Sequence, residues 1–340
     1  MNSPPYPFAD SVASPSAELK SGHGRIVVSS HASKAVFSEL AATYPLKLLS
    51  PRVGADGVAV AYVLSYGGGL IGGDEVVLDV KVKDDARLVL LSQGSTKVFK
   101  MRLGTRLASS AWVDSSLASP QPIPEGSADA PTLTTQVMDY RVHEGCGLYL
   151  LPEPVTCFRD ASYKQIQRFH LEDRTSSLVL VDSITSGRQA LGEDWDFAKY
   201  YSMNEVWIGG KLITKDVMLL EGDREAAKSP DDSSRHRVPK RLLRDQLAPY
   251  SCYAMVLLYG PQAQETIEDI ANQYKEHIVY QRRMPTDSLW SFSLLGENTT
   301  DGAVVRIAGK ETEVVRSCLK ATLRRLERVI GVDTFRRAFA

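Results

Sequence analysis

Residues 67–82 read GGGLIGGDEVVLDVKV, and the second half of this stretch decides which class of fold the chain can adopt. From Val76 to Val82 every even-numbered residue is aliphatic, whereas Asp79 and Lys81 occupy odd-numbered positions. Successive side chains of a β-strand point to opposite faces of the sheet. The pattern therefore predicts a strand with one buried and one largely charged face, and each buried aliphatic side chain stabilises the fold by about 1.5–3 kcal/mol.

The glycines that precede this strand do not form a nucleotide-binding loop. Residues 67–72 satisfy G-x-G-x-x-G, but a dinucleotide site needs a helix after its last glycine, because the helix N-terminus holds the pyrophosphate. Here a strand follows, and the Lys-Ser/Thr pair of a P-loop is missing. Glycines beside a strand more often permit positive φ angles or a close backbone approach. We therefore interpret the segment as a special loop that presents Asp74.

Short runs with the same two-residue period recur along most of the chain. Their spacing of roughly 8–16 residues, without helical segments between them, predicts a sandwich, a barrel or a solenoid and disfavours a parallel α/β sheet. The runs are 58–66, 87–92, 134–142, 147–151, 165–171, 177–185, 203–208, 211–220, 252–259, 289–295 and 303–308.

Helical periodicity occurs only late in the chain, at residues 263–277 and 311–330, where apolar residues recur at spacings of three and four. Polar, proline-rich or charged stretches interrupt the β-rich part. We predict a disordered tail over 1–24 and a β-rich body over 25–310, with flexible insertions near 115–131 and 221–244. A C-terminal helix is predicted over 311–340.

Composition excludes several classes of function. The 340 residues contain 40 Lys and Arg against 41 Asp and Glu, which gives a net charge of −1. Proteins that bind nucleic acid or anionic membranes normally carry a basic excess, so we expect neither as a partner. Neither a signal peptide nor an apolar run long enough to cross a membrane is visible, and a cytoplasmic location is the expectation.

Potential metal ligands are scarce and scattered. The chain has six His and four Cys, and the Cys form no C-x-x-C pair, so neither a disulfide framework nor a zinc finger is indicated. Residues 143–146 (HEGC) gather three potential ligands, but adjacent side chains project differently and cannot all converge on one ion. We interpret this segment as a turn, although one of its residues could join a site with distant partners. Each Cys is interpreted as a small buried hydrophobe.

Residues 192–196 (GEDWD) carry three carboxylates beside a Trp. Paired carboxylates perform acid–base chemistry only within a cleft that raises their pKa values, so the alternative is a turn anchored by a buried Trp195. The motif G-x-S-x-G of serine hydrolases does not occur. The search for catalytic motifs therefore does not identify a function.

Four ordered blocks resemble the urease accessory protein D family, also called UreD or UreH. The first is the GG…GGD loop at 68–74, and the second is SQGSTKVFK at 92–100, where the family has TTQAATKVYR. The departures at Ser92, Gly94, Phe99 and Lys100 are conservative. The third block is LPEP at 151–154 with Phe158, Ala161 and Gln165, and the fourth comprises Val181-Asp182, Gly187-Arg188 and Gly192-Glu193 with Trp195 and Phe197.

The resemblance implies a maturation factor and not an enzyme. It implies a mainly β fold, a stacked β-helix-like or sandwich-like body of many short strands with a small C-terminal helical element. Members of the family act with accessory protein F and the accessory GTPase G to load nickel into apo-urease, through a proposed internal tunnel. No tightly bound cofactor is implied, only transient Ni²⁺. The two insertions indicate a eukaryotic member.

A conduit needs weak, transient ligands, because a closed cage of His and Cys would trap the ion. Carboxylate and water oxygens suffice for nickel. The candidate transient ligands are Asp74, Glu153 and Glu193, with turn capping or pairing to Lys97 and Arg188 as the alternative role. The full set of residues predicted from the resemblance to line a tunnel or contact a partner is Gly68, Gly69, Gly72, Gly73, Asp74, Thr96, Lys97, Pro152, Glu153, Arg188 and Glu193.

Two other functions remain open at this point. One is a β-rich enzyme that acts on a polar substrate, with Glu153, Glu193 and Asp196 as acids and bases. The other is a protein-interaction scaffold that handles no metal.

Overall fold

The computed structural model describes residues 19–51, 57–100, 133–222, 241–280 and 287–340. The insertion predicted near 115–131 lies outside these residues, as do residues 1–18 and 223–240 of the predicted tail and second insertion. The strands, in chain order, are β1 (His23–His31), β2 (Lys34–Ala42), β3 (Leu46–Leu49), β4 (Val58–Ser65), β5 (Glu75–Val82), β6 (Arg87–Leu91), β7 (Thr96–Val98), β8 (Thr134–Val142), β9 (Gly147–Leu150), β10 (Val155–Cys157), β11 (Ser162–Leu171), β12 (Ser177–Thr185), β13 (Lys199–Ile208), β14 (Lys211–Glu221), β15 (Cys252–Tyr259), β16 (Ser288–Leu294) and β17 (Ala303–Gly309).

The helices lie mostly in the last quarter of the chain. They are α1 (Leu243–Leu247), α2 (Gln264–Tyr280), α3 (Thr312–Thr322), α4 (Glu327–Ile330) and α5 (Val332–Ala338). The C-terminal helix predicted over 311–340 is interrupted, because Leu323 leaves the α-helical conformation (φ −94°, ψ 9°) and a 3₁₀ turn follows it. None of the helices in the described part of the chain is long and apolar enough to span a membrane.

Two sheets form the body of the molecule. The first sheet has the strand order β14-β13-β11-β8-β5-β1-β2, and the second has the order β16-β17-β15-β12-β9-β6-β4-β3, with β7 and β10 attached at its side. The central strands β5, β8 and β11 pair in parallel in the first sheet, and β6, β9 and β12 do so in the second. The chain thus alternates between the sheets and winds as a flattened coil, which confirms the predicted mainly β, stacked architecture.

The alternation at residues 76–82 is confirmed at the level of single side chains. Val76, Leu78, Val80 and Val82 are fully buried, and they belong to an apolar core that takes residues from both sheets. A second core lies between the second sheet and the helices. Strand β12 contributes to both cores, with Leu178 and Leu180 on one face and Val179 and Val181 on the other. The molecule therefore has three layers: sheet, sheet and helices.

Two valines provide a test of this assignment. Val80 is fully buried in β5, whereas Val36 in β2 is 46% exposed. We expect Val80→Ala to lower the free energy of unfolding by about 1–2 kcal/mol through lost burial and a small cavity. Val36→Ala should stay within about 0.5 kcal/mol of the wild type. Urea unfolding of both variants measures the difference, and equal effects would contradict the assigned faces of the sheet.

Candidate functional site

Polar side chains interrupt the apolar core between the two sheets. By strand register, Gln136, Gln165 and Ser202 lie side by side across β8, β11 and β13 of the first sheet. A neighbouring row contains Gln167 on β11, Asn204 on β13 and Asp216 on β14. The three Gln, Ser202 and Asn204 are at most 7% exposed. These residues take the inward positions of their strands, so they face the second sheet.

Asp182 on β12 of the second sheet meets these rows. Its carboxylate accepts hydrogen bonds from Ser202 Oγ (2.5 Å), Asn204 Nδ2 (2.8 Å) and Gln165 Nε2 (3.3 Å). None of the ion pairs found among the described residues includes Asp182. Desolvation raises the pKa of this carboxyl above its ordinary value, and the three hydrogen bonds oppose that effect in part. The site is therefore an enclosed carboxylate that has neutral donors and, in the described part of the chain, no ion-pair partner.

Additional polar atoms point to a hydrated or cation-accepting interior. Asn204 Oδ1 is buried and makes no hydrogen bond within the described residues. The Tyr163 hydroxyl lies 2.9 Å from Gln165 Oε1 and also contacts Gln136. A buried polar atom without a partner is disfavoured by 1–3 kcal/mol or so. Water or a metal ion would relieve that penalty at Asn204.

A cavity of about 70 Å³ lies beside Asp182. One buried water needs roughly 10–15 Å³ of such space, so several waters or a partly hydrated cation fit. Asp182 is enclosed by protein yet keeps accessible surface, because it faces this cavity. Its lining combines apolar and polar side chains, among them Ser65, Leu70, Val76, Ser92, Thr96, Gln136, Leu150, Pro152, Glu153, Gln165, Gln167 and Asp182.

The ligand types in the cavity wall suit a cation that passes through better than one that stays bound. Its polar ligands are carboxylate, amide and hydroxyl oxygens, and the part of the chain that the structure describes holds no group of three or more His, Cys, Asp or Glu placed to bind a metal. Ligands of this kind hold a divalent cation weakly. The geometry therefore supports transient binding of a small cation.

Three of the residues predicted from the sequence line this cavity: Thr96, Pro152 and Glu153. The Glu153 carboxylate also forms an ion pair with Arg316 of α3 at 3.0 Å, and the Glu153 amide donates to Ser92 Oγ at 2.8 Å. The helical layer thereby fixes a carboxylate at the cavity wall.

The predicted glycine loop borders the cavity through Leu70, while Asp74 stabilises the loop itself. Asp74 Oδ2 accepts a hydrogen bond from the Ile71 amide at 2.8 Å, and partial burial raises the pKa of this carboxyl. Gly68 and Gly73 have positive φ angles of 78° and 90°. A Cβ atom at Gly69 would lie 2.7 Å from the carbonyl oxygen of Lys97, so this position requires a glycine. The remaining predicted residue of the loop, Gly72, lies with Gly73 in the turn that the Asp74 amide closes by donating to the Ile71 carbonyl oxygen at 2.9 Å.

Lys97 contacts the glycine loop through its backbone: its carbonyl oxygen accepts a hydrogen bond from the Leu70 amide at 2.8 Å. The side chain of Lys97 is exposed.

Arg188 and Glu193 form a separate cluster. Arg188 Nε donates to Glu193 Oε2 at 2.8 Å and Nη2 donates to Oε1 at 2.5 Å, while the guanidinium lies 4.0 Å from the centre of the Phe158 ring. The hydrogen bonds from Arg188 hold the pKa of Glu193 below its ordinary value. Neither residue lines the cavity. The turn anchored by Trp195 is confirmed, since that side chain is 3% exposed.

A second, larger depression of about 260 Å³ adjoins this cluster. It is lined by Arg159, Asp196 and Arg244 among others, and Arg159 forms an ion pair with Asp196. Its two arginines offset much of the charge of its three aspartates, Asp160, Asp194 and Asp196. The Asp182 carboxylate, in contrast, has no ion-pair partner among the described residues. The cavity beside Asp182 is therefore the better candidate site.

The remaining motifs have structural roles. His143 Nδ1 lies 3.0 Å from Glu172 Oε2, and Gly145 adopts a positive φ of 68° in a turn. Three of the four Cys are buried and Cys318 is half-buried, all as free thiols. Burial raises the pKa of Cys146 to about 11.

Sequence reasoning did not select Asp182, Gln136, Gln167, Ser202 or Asn204 as site residues. A usable signal was present: Gln136 occupies an inward position of β8 in phase with Met138 and Tyr140. Likewise, the two Gln of β11 alternate in phase with Phe169 and Leu171. Polar residues in the buried phase of a strand indicate a polar interior.

The family model described as "UreD urease accessory protein" matches residues 20–337. The chain is 36% identical over 314 residues to urease accessory protein 4 of Cryptococcus neoformans, with 90% of each chain aligned. It is 30% identical over 330 residues to urease accessory protein D of Arabidopsis thaliana, which aligns 91% of this chain and 97% of the relative. It is also 30% identical over 318 residues to urease accessory protein UreD of Sorangium cellulosum, with 94% and 84% aligned.

Proposed function

The chain belongs to the UreD family of urease accessory proteins and takes part in urease maturation, and we propose that it does so by letting nickel pass through the polar interior beside Asp182. Ni²⁺ is the cargo of this passage and no tightly bound cofactor is needed. In this proposal the chain also joins accessory protein F, and through it the accessory GTPase G, to apo-urease.

One observation carries the proposal: Asp182 is an enclosed carboxylate that has three neutral hydrogen-bond donors and no paired cation among the described residues. A charge in such surroundings is disfavoured unless a counter-ion or a proton neutralises it. A divalent cation in the adjacent cavity would supply that charge. Once the ion leaves, a proton or water can take its place.

The polar rows explain why the ion would not be trapped. Gln136 and Gln165 lie side by side on β8 and β11, and Gln167 lies two residues further along β11. Each amide oxygen has two lone pairs and keeps one for an ion even where a tyrosine hydroxyl donates to it, so an ion can exchange one neutral ligand for the next. Nickel accepts oxygen ligands but binds imidazole and thiolate more tightly. A path built of amides, hydroxyls and single carboxylates therefore favours movement. Glu153 adds a carboxylate at the cavity wall, where Arg316 pairs with it. Asp74 and Glu193 are less suited, because they do not line the cavity.

The test is activation of apo-urease with purified components. Apo-urease, the F-type and G-type partners, GTP and Ni²⁺ are combined with and without this chain, and urea hydrolysis is measured. We expect activation to require the chain, and we expect the chain to co-elute with the F-type partner on gel filtration. Equal activation in its absence would overturn the proposal.

The enzyme hypothesis is less well supported by the geometry. Glu153, Glu193 and Asp196 are each paired with a different arginine, namely Arg316, Arg188 and Arg159. A general acid near neutral pH needs a raised pKa, whereas the pKa of Glu193 is lowered. The cytoplasmic location stays a prediction from the sequence.

A further inference from the structure

An ion pair joins the two sheets next to the polar interior. Asp216 lies on β14 of the first sheet, directly opposite Asn204 of β13 in the strand register. Arg306 lies on β17 of the second sheet, 90 residues away in sequence, and its Nη2 donates to Asp216 Oδ1. Because β14 is the edge strand of the first sheet, this pair stands at the end of the row that contains Gln167 and Asn204.

Asp216 and Asp182 are electrostatic neighbours. Asn204 lies between them, since its Nδ2 binds Asp182 and its backbone pairs with β14 at Asp216. Desolvation is the main cause of the raised pKa of Asp182, and the charge of Asp216 adds a smaller contribution in the same direction. Two carboxylates that repel each other favour a shared divalent cation. Asn204 Oδ1, which has no partner within the described residues and is nine-tenths buried or more, offers a third oxygen at this place.

Solvent exposure increases along this line of residues. The Asp216 side chain is 19% exposed and the Arg306 side chain is 56% exposed. An arginine with more than half of its side chain in solvent can leave its partner without burying its charge, and such exposed pairs hold weakly. The Asp216–Arg306 pair therefore lies between the polar interior and solvent, and the Arg306 side chain can move away from it.

We propose that Arg306 is a displaceable counter-ion of Asp216, and that a divalent cation crossing this end of the interior takes its place. The inference rests on the proposed function, because it concerns the same passage. Arg306 neutralises Asp216 while the path is empty and moves into solvent when Ni²⁺ arrives. Ni²⁺ replaces the guanidinium of Arg306, so a positive charge lies beside Asp216, the neighbour of Asp182, at every stage.

Nickel binding by the purified full chain tests the exchange. Equilibrium dialysis with Ni²⁺ alone is expected to show about tenfold tighter binding by Arg306→Gln than by the wild type, a coupling of ordinary size. Arg306→Lys keeps the competing charge and should bind like the wild type. Adding Asp216→Asn to Arg306→Gln should remove the gain.

The control is Arg324 in the helical layer, whose side chain is 57% exposed and pairs with Asp269. Asp269 is 13% exposed and also pairs with Arg325. Arg324→Gln should leave Ni²⁺ binding unchanged. Equal affinity of Arg306→Gln and the wild type, or an equal gain in Arg324→Gln, would overturn the inference. Failure of the proposed function would look different, because an Asp182 variant would then activate apo-urease normally whatever the affinity of the Arg306 variants.

Discussion

Replacing Asp182 by Asn is expected to reduce activation of apo-urease about tenfold or more, the factor that corresponds to a loss of about 1.4 kcal/mol in one interaction. The variant keeps the shape of the side chain but removes the charge that attracts a cation into the cavity. Activation is measured as the initial rate of urea hydrolysis after incubation with the F-type and G-type partners, GTP and Ni²⁺.

The fold should tolerate this substitution. At neutral pH the carboxylate of Asp182 is disfavoured by its enclosure, so the loss of its charge offsets the weaker hydrogen bonds, and we expect a change of less than about 1 kcal/mol. The pKa of Asp182 is raised in the folded protein. Stability of the wild type should therefore decline relative to Asp182→Asn as pH rises from the unfolded pKa, about 3.9, through the folded pKa.

Asp139 supplies the control for Asp182. It lies on β8 of the first sheet and pairs with Arg168 at 3.4 Å on the outer face. Asp139→Asn should leave activation unchanged. If Asp182→Asn also activates fully while the complex assembles, the chain acts as a scaffold that handles no metal.

Replacing Arg188 by Gln should lower the free energy of unfolding measurably, because Glu193 then lacks the cation that neutralises it. Glu193 is 5% exposed, and its carboxylate is held by two hydrogen bonds from Arg188. Without the guanidinium, the buried carboxylate keeps its charge and loses its partner. Urea unfolding at several pH values measures the loss.

The pH dependence of this loss has a definite sign. Because the pKa of Glu193 is lowered in the folded protein, its contribution to stability is present above the unfolded pKa, about 4.3, and disappears as pH falls toward the folded pKa. The deficit of Arg188→Gln should therefore shrink on acidification. The double variant Arg188→Gln with Glu193→Gln should recover part of the stability at neutral pH. A deficit independent of pH, or absence of recovery, would contradict the assigned role of the pair.

Most strands could be predicted from side-chain alternation, and the strands that were not predicted escaped detection for physical reasons. Strand β5 has four fully buried aliphatic residues in phase, so its pattern is unambiguous. Strand β1 buries only two aliphatic residues, Ile26 and Val28, and no residue of β2 is fully buried. Their patterns are too weak to detect, although pairing with β5 and with each other holds both strands in place.

The site was harder to predict because its residues are far apart in sequence and come together only when the chain winds between the two sheets. Glu153 was selected from its motif, but its partner Arg316 is 163 residues away. Asp182 was recognised as part of a matching block, yet its neighbours Ser202 and Asn204 lie on another sheet. A single sequence does not show which inward-facing polar residues share a cavity, because that depends on how the strands of the two sheets are stacked.

The coiled path of the chain makes the body modular. Strand β8 is bonded to β5 on one side and to β11 on the other, so its place does not depend on the length of chain that joins Val98 to Thr134. The entropic cost of closing a connection rises only slowly with its length, by about 0.6 kcal/mol for each doubling. A fluorescent domain spliced between β7 and β8 should therefore report on assembly with partners while the passage keeps its native lining.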